Sequence, residues 1–234
     1  MIVWNGIHFP NGELHLQEWM SKVDRRDDLG RLTYQAHKLD AAMAHVRKRR
    51  VAVDVGAHVG LWSMQLVRMF GFVHAFEPMS EHRACFERNV VPGVGRVTLY
   101  PFALGAAPGK VQLARWSPDS SGDTGVDPEA EQGSKRTRPA EAIREDADLR
   151  TIDSFGLEDV DFIKIDCEGY ELFVLQGAVE TLRRCRPCII VEQKPETGMQ
   201  KRYGVKPGAA VDFLKGLGAK VRAGIQGDFV MSWG

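Results

Sequence analysis

No stretch of the 234 residues approaches the roughly 18 apolar positions in a row that a membrane-spanning helix needs. The opening MIVWNGIHFPNGELH also lacks the basic end and apolar run of a signal peptide, so the expectation is a cytoplasmic protein with no membrane contact. Cysteine is scarce, with four residues at 85, 167, 185 and 188, too few for a disulfide framework at this length. Cys185 and Cys188 form a C-x-x-C around Pro187, but no second pair or nearby histidine completes a zinc site. They read instead as two small apolar residues at a helix-to-strand junction. Net charge is missing too: 31 basic residues cancel 31 acidic ones, which removes any global field toward nucleic acid or an anionic membrane. What remains is globular, at 44% hydrophobic and 26% charged, with a length that allows one domain or two.

Apolar residues Leu32, Ala36, Leu39, Ala42, Met43 and Val46 recur at three- and four-residue steps, which predicts an amphipathic helix over 32–46. Arg47 to Arg50 follow as cations suited to its C-terminal end, with a phosphate or other anionic partner near this face as the competing reading. Beyond them strands and helices alternate. Val51–Val55, Phe72–Phe76, Arg96–Leu104, Val160–Ile165 and Cys188–Glu192 are strand-like; 60–70, 81–91, 171–184 and 209–216 suit helices; Lys110–Trp116 adds a β-extension. Such alternation implies an α/β fold with a mostly parallel sheet. Only four residues separate the last two strands, Lys220–Ala223 and Asp228–Trp233, so these should form an antiparallel hairpin at the sheet edge. The stretch Ser117 to Arg150 is rich in Ser, Gly, Pro and acids and poor in large aliphatics, and reads as a mobile insertion, either a lid or an inert loop. Residues 1–50 read as an N-terminal extension and helix, and 51–234 as the main domain.

The most informative segment is VAVDVGAHVGLWS, Val51 to Ser63. A strand ends at Asp54, and Gly56, Ala57 and Gly60 make a tight turn into a helix, a cradle of free N–H groups for a nucleotide-type ligand. The spacing G-x-x-x-G is not the G-x-G-x-x-G of a dinucleotide site. Asp54 favours a ligand carrying an ammonium group. Glu77, 23 positions later at the end of the next strand, can accept both hydroxyls of a ribose, or else cap the helix that follows.

The order DVGAHVGLWS, AFEP, FALG, TIDSF, DFIKIDCEGYELFVLQGA and IIVE resembles the FkbM family of class I S-adenosylmethionine-dependent methyltransferases, from about Val51 to Pro195. Where that family often carries Asn, this chain has His58. The resemblance implies a Rossmann-like, seven-stranded sheet. It places Asp54, Gly56, Ala57, His58 and Gly60 around the methionine part of S-adenosylmethionine, Glu77 on the ribose, and Phe102 and Ala103 near the adenine, with Met79 beside that pocket. It also implies methyl transfer to an oxygen of a sugar or other small-molecule hydroxyl.

In KIDCEG, Lys164, Asp166 and Glu168 alternate onto one side of a strand and its exit, which packing alone does not explain. Asp166, at the carboxyl end of a central strand, is the first candidate for a group near the reacting methyl, with Glu168 beside it; a structural Lys–Asp pair is the competing reading. Asp166 and Glu168 could hold a divalent ion, but no third oxygen ligand is identifiable, so no metal is assigned. Lys38, Asp166 and Lys194 also resemble three of the four catalytic residues of ribose 2′-O-methyltransferases, whose final Glu has no clear counterpart here, with only Asp228 nearby. That leaves RNA or its 5′ end as an alternative acceptor, and a non-catalytic nucleotide-binding module as a third reading. Trp62, Trp116 and Tyr203 are candidates for stacking, Trp62 being better suited to packing its helix on the sheet.

Overall fold

Short β-branched and apolar runs build the centre of the molecule. The computed structural model describes residues 1–22, 25–90, 96–127, 142–193 and 203–234. Seven strands form the main sheet: β3 (Val51–Val55), β4 (Phe72–Phe76), β5 (Val97–Tyr100), β10 (Val160–Ile165), β11 (Cys188–Glu192), β12 (Lys220–Ile225) and β13 (Asp228–Ser232). Their order is β12-β13-β11-β10-β3-β4-β5, and β13 alone runs antiparallel, against both β11 and β12. The chain reverses direction outward from β3, so β3 and β10 lie side by side at the switch point where open α/β sheets bind ligands.

Alternation of side chains along the strands feeds two apolar layers. Ala52, Phe162, Cys188, Ile190 and Val230 face one layer. Val53, Ile163, Ile189, Val191 and Met231 face the other. The first layer is covered by α2 (Ala36–Met43), α3 (Ser63–Leu66), α4 (Ser80–Asn89), and by the N-terminal hairpin of β1 (Ile2–Trp4) and β2 (Ile7–Phe9) with α1 (His15–Ser21). The second is covered by α5 (Glu171–Gln176), α6 (Val179–Cys185) and α7 (Ala209–Gly216). Ile7 and Phe9 are fully buried in the same core as Ala52 and Phe162, so the N-terminal hairpin packs on the main sheet's first layer.

Several elements differ from expectation. The helix over 60–70 is α-helical only at Ser63–Leu66, with turns on either side. The helix over 171–184 is broken at Gly177 and Ala178, where Gly177 passes so close to Gly105 that a Cβ would fall 2.0 Å from its carbonyl oxygen. The strand over 96–104 divides: β5 ends at Tyr100, and Ala103–Leu104 is β6 of a second sheet. That sheet, ordered β6-β9-β7-β8, holds the largest correction. β8 (Ser120–Val126) and β9 (Ile143–Arg150) both lie inside the stretch read as a mobile insertion, paired antiparallel to β7 (Gly109–Ser117). Polar composition hid them because their stability comes from the ladder with β7 and from a small core of Met79, Ala103, Val111, Leu113 and Ala147. The lid expectation for the remainder, 128–141, lies outside the described residues.

Candidate active site

At the carboxyl ends of β3, β4 and β10 the chain opens a cleft, roofed by β8 and by Leu16 of α1. The turn after β3 forms its floor. Gly56 has φ +70° and a Cβ there would sit 2.0 Å from the Asp166 carbonyl oxygen, so only glycine lets the β3 turn meet the exit of β10. The expected cradle of free N–H groups is not what forms. Gly56 and Ala57 both donate to the Phe76 carbonyl, and Gly60 donates to Ala57. His58, at φ +52°, donates its N–H to Glu77 Oε2 at 2.8 Å.

Asp54 does not reach the cleft as an open counter-charge for a ligand ammonium group. It is fully buried, accepts from Ser63 Oγ at 2.7 Å, and lies 3.6 Å from the ammonium of Lys164. Burial raises its pKa, opposed by Lys164 and Ser63. Lys164 donates to the Gly56 carbonyl at 2.8 Å and stands 3.7 Å from Asp166 Oδ2. Burial works against its charge, but Asp166 and Asp54 outweigh it and raise the pKa. A chain protein cation therefore occupies the site that Asp54 was expected to offer a ligand, and Lys164 fastens the glycine turn to β10.

Glu77 lies where expected, at the end of β4 and on the cleft wall. Oε1 accepts from Met79 N at 2.9 Å and faces His82 Nδ1 at 3.2 Å, so the carboxylate also serves the cap before α4. Burial pushes its pKa up, but His82 and the two backbone donors prevail and hold it below the usual carboxylate range. Phe102 and Ala103 line the same wall, with Leu104 and Leu113 as apolar neighbours. Met79 is buried one layer behind, against Ala103 and Leu113, and is not among the described lining residues.

Asp166 and Glu168 also line the cleft, with Tyr34 and Tyr170. Glu192, at the end of β11, joins them: one carboxylate oxygen from each of the three lies within 4.8 Å of the others. Sequence reasoning missed Glu192 because parallel pairing of β10 and β11, not sequence spacing, brings it there. Lys38 is buried and paired with Asp228 at 2.8 Å, and does not line the cleft. Lys194 lies outside the described residues. Trp62 packs flat against Phe162 and donates to Gln35 Oε1 at 2.9 Å, as expected of a core residue, while one face still reaches the cleft.

The residues present fit S-adenosylmethionine. An apolar slot at Phe102 to Leu104 suits a purine, Glu77 is an acceptor for ribose hydroxyls, and the buried His82 Nε2 on the same wall, 4.0 Å from Glu81 Oε1, has no hydrogen-bond partner among the described residues.

The sequence profile described as Methyltransferase FkbM domain matches residues 54–221. Among solved structures, the chain superposes on a methyltransferase FkbM from Methylobacillus flagellatus KT with TM-score 0.50 and 18% identity, over 92% of this chain and 49% of that one. It spans about half the length of that relative. A precorrin-6y C5,15-methyltransferase from Geobacter metallireducens GS-15 superposes with TM-score 0.48 and 13% identity, over 90% of this chain and 92% of the other. No protein of curated function matches the sequence.

Proposed function

The chain belongs to the FkbM methyltransferase family, and from that membership we propose that it moves the methyl group of S-adenosylmethionine to an oxygen of a sugar or other small-molecule hydroxyl. One observation carries the reading: a ribose-type acid, Glu77, and the carboxylates of Asp166 and Glu168 line a single cleft at the carboxyl edge of the sheet. When bound, the cofactor supplies an electrophilic sulfonium methyl. The chain's part is to hold an acceptor oxygen about 3 Å from that carbon and in line with the departing sulfur. Asp166 and Glu168 accept hydrogen bonds from the acceptor, orient it, and take the hydroxyl proton as the new C–O bond forms. Lys164, with its ammonium 3.7 Å from Asp166 Oδ2, helps to aim that side chain.

Charge supports an uncharged acceptor over a nucleic acid. Lys164 is the one Lys or Arg among the described residues lining the cleft, and its charge is taken up by Asp54 and Asp166. The basic run Arg47 to Arg50 precedes β3 and so lies at the amino end of the sheet, away from the cleft. Arg50 there is bound to Asp159 and Asp161. Lys38, needed for the ribose 2′-O-methyltransferase reading, is held by Asp228. Incubating the protein with methyl-labelled S-adenosylmethionine and separate fractions of glycans, small hydroxylated metabolites and RNA tests this. Label should enter a glycan or small-molecule fraction; label confined to RNA would overturn the proposed acceptor class.

A further inference from the structure

Glu13 lies away from the carboxylates of the cleft, on the segment between β2 and α1. It belongs to the N-terminal segment, outside the residues matched by the family profile, yet it is fully buried. A carboxyl group in that position is costly unless donors satisfy it. Glu13 has three: Leu16 N on Oε1 at 2.6 Å, and both the N–H and the hydroxyl of Ser121 on Oε2. Ser121, also fully buried, comes from β8 and lines the cleft. Its Oγ lies 2.8 Å from Nε2 of His58, whose backbone N–H in turn holds Glu77 Oε2.

Counting protons along this line fixes the state of the histidine. The one hydroxyl proton of Ser121 goes to Glu13, so Ser121 Oγ can only accept from His58, and Nε2 of His58 must carry hydrogen. Nδ1 is then the ring's acceptor. Burial, with the neighbouring His82, Lys164 and Arg115, drives the pKa of His58 well below its ordinary value and keeps the ring neutral. His58 and Glu77 both line the cleft, so one wall carries the neutral imidazole and the carboxylate. Both suit hydroxyl donors, and neither suits a phosphate.

We propose that Glu13 and Ser121 are positioning residues for the ribose of the cofactor: they lock the His58 ring as a hydrogen-bond acceptor beside Glu77, so that a vicinal diol meets two acceptors on one wall. The proposal rests on the methyltransferase reading. It makes the N-terminal segment a working part of the nucleoside site, joined to it through β8.

Calorimetric titration of the full chain with S-adenosylhomocysteine, and with analogues lacking the 2′- or 3′-hydroxyl, tests it without any acceptor. The unaltered protein should favour the diol over the weaker deoxy analogue by about tenfold or more, the loss expected for one hydrogen bond to a charged or oriented partner. Ser121→Ala and Glu13→Gln should lower affinity for S-adenosylhomocysteine by about the same factor, while affinity for that deoxy analogue stays put, so the preference collapses. A residue that merely supports the fold would weaken all ligands alike. Ser121→Ala keeps the backbone donor to Glu13 and carries the test should Glu13→Gln fail to fold. Variants that keep the full preference for the diol overturn the proposal. Failure of the unaltered protein to bind S-adenosylhomocysteine would instead overturn the methyltransferase reading, and this proposal with it.

Discussion

Single side chains in this cleft hold each other more than they wait for a ligand. Alternation in KIDCEG announced that Lys164, Asp166 and Glu168 share a side, but it could not show that Asp54, 110 positions before Lys164, is the other partner of that ammonium. The pairing is set by the register of β3 against β10, where Lys164 lies opposite Asp54. Lys38 and Asp228 meet for the same kind of reason, across elements far apart in sequence. Glu171 is the residue at which such burial should be measurable. Its Oε1 accepts from Cys167 N at 3.0 Å and Gly169 N at 2.9 Å, bracing the loop that carries Asp166 and Glu168. Burial first, opposed by those donors and aided by the charge of Asp166, raises its pKa from 4.5 to about 7. A carboxyl group whose pKa is higher when folded stabilises the fold below its unfolded value and loses that contribution as pH rises through the folded one. The thermal midpoint of the protein should therefore fall between about pH 4.5 and about pH 7, and Glu171→Gln should flatten that part of the profile. An unchanged slope in the variant would assign the dependence to another group.

Whole strands were legible wherever apolar residues ran together. VAVDV, FVHAF, VDFIKI and CIIVE all appear as strands at the expected bounds, because a central parallel strand is buried on both faces and needs a continuous apolar run. β8 and β9 were illegible for the opposite reason. In IREDADLR the inward positions are filled by small or single aliphatics such as Ala147, and the outward ones by charge, so the segment reads as solvated loop. Backbone pairing with Gly109 to Arg115 decides the outcome instead. The turn after β3 offers a sharper element-scale test. Gly56→Ala places a Cβ 2.0 Å from the Asp166 carbonyl at a φ of +70°, so it should cost about 1–3 kcal/mol or more and weaken S-adenosylhomocysteine binding. Gly109→Ala, where nothing stands within 4 Å, is the control and should change neither. Equal denaturation midpoints for the two variants would show that the turn and the β10 exit do not meet as described.

At the scale of the whole molecule, the N-terminal hairpin is tied directly to the elements that follow it. Asn89 of α4 accepts from His8 N at 2.7 Å and donates to the carbonyls of His8 and Val59, stitching the N-terminal hairpin to the glycine turn. Calorimetry should accordingly show one unfolding transition seen alike by far-ultraviolet dichroism and by tryptophan fluorescence. Two separated transitions would establish an independent N-terminal unit. The tie from Glu13 to Ser121 spans 108 positions, and that from Lys164 to Gly56 spans another 108. Contacts of such reach form slowly, because the chain loses loop entropy before they repay it. The nucleoside wall is complete only once both ties are made. Any ligand that binds only the completed wall then acts as a ratchet: at a hundred times its dissociation constant it would deepen the native basin by about 2.7 kcal/mol. In a growing cell, the supply of a small metabolite would in this way help set how much of the newly made protein stays folded.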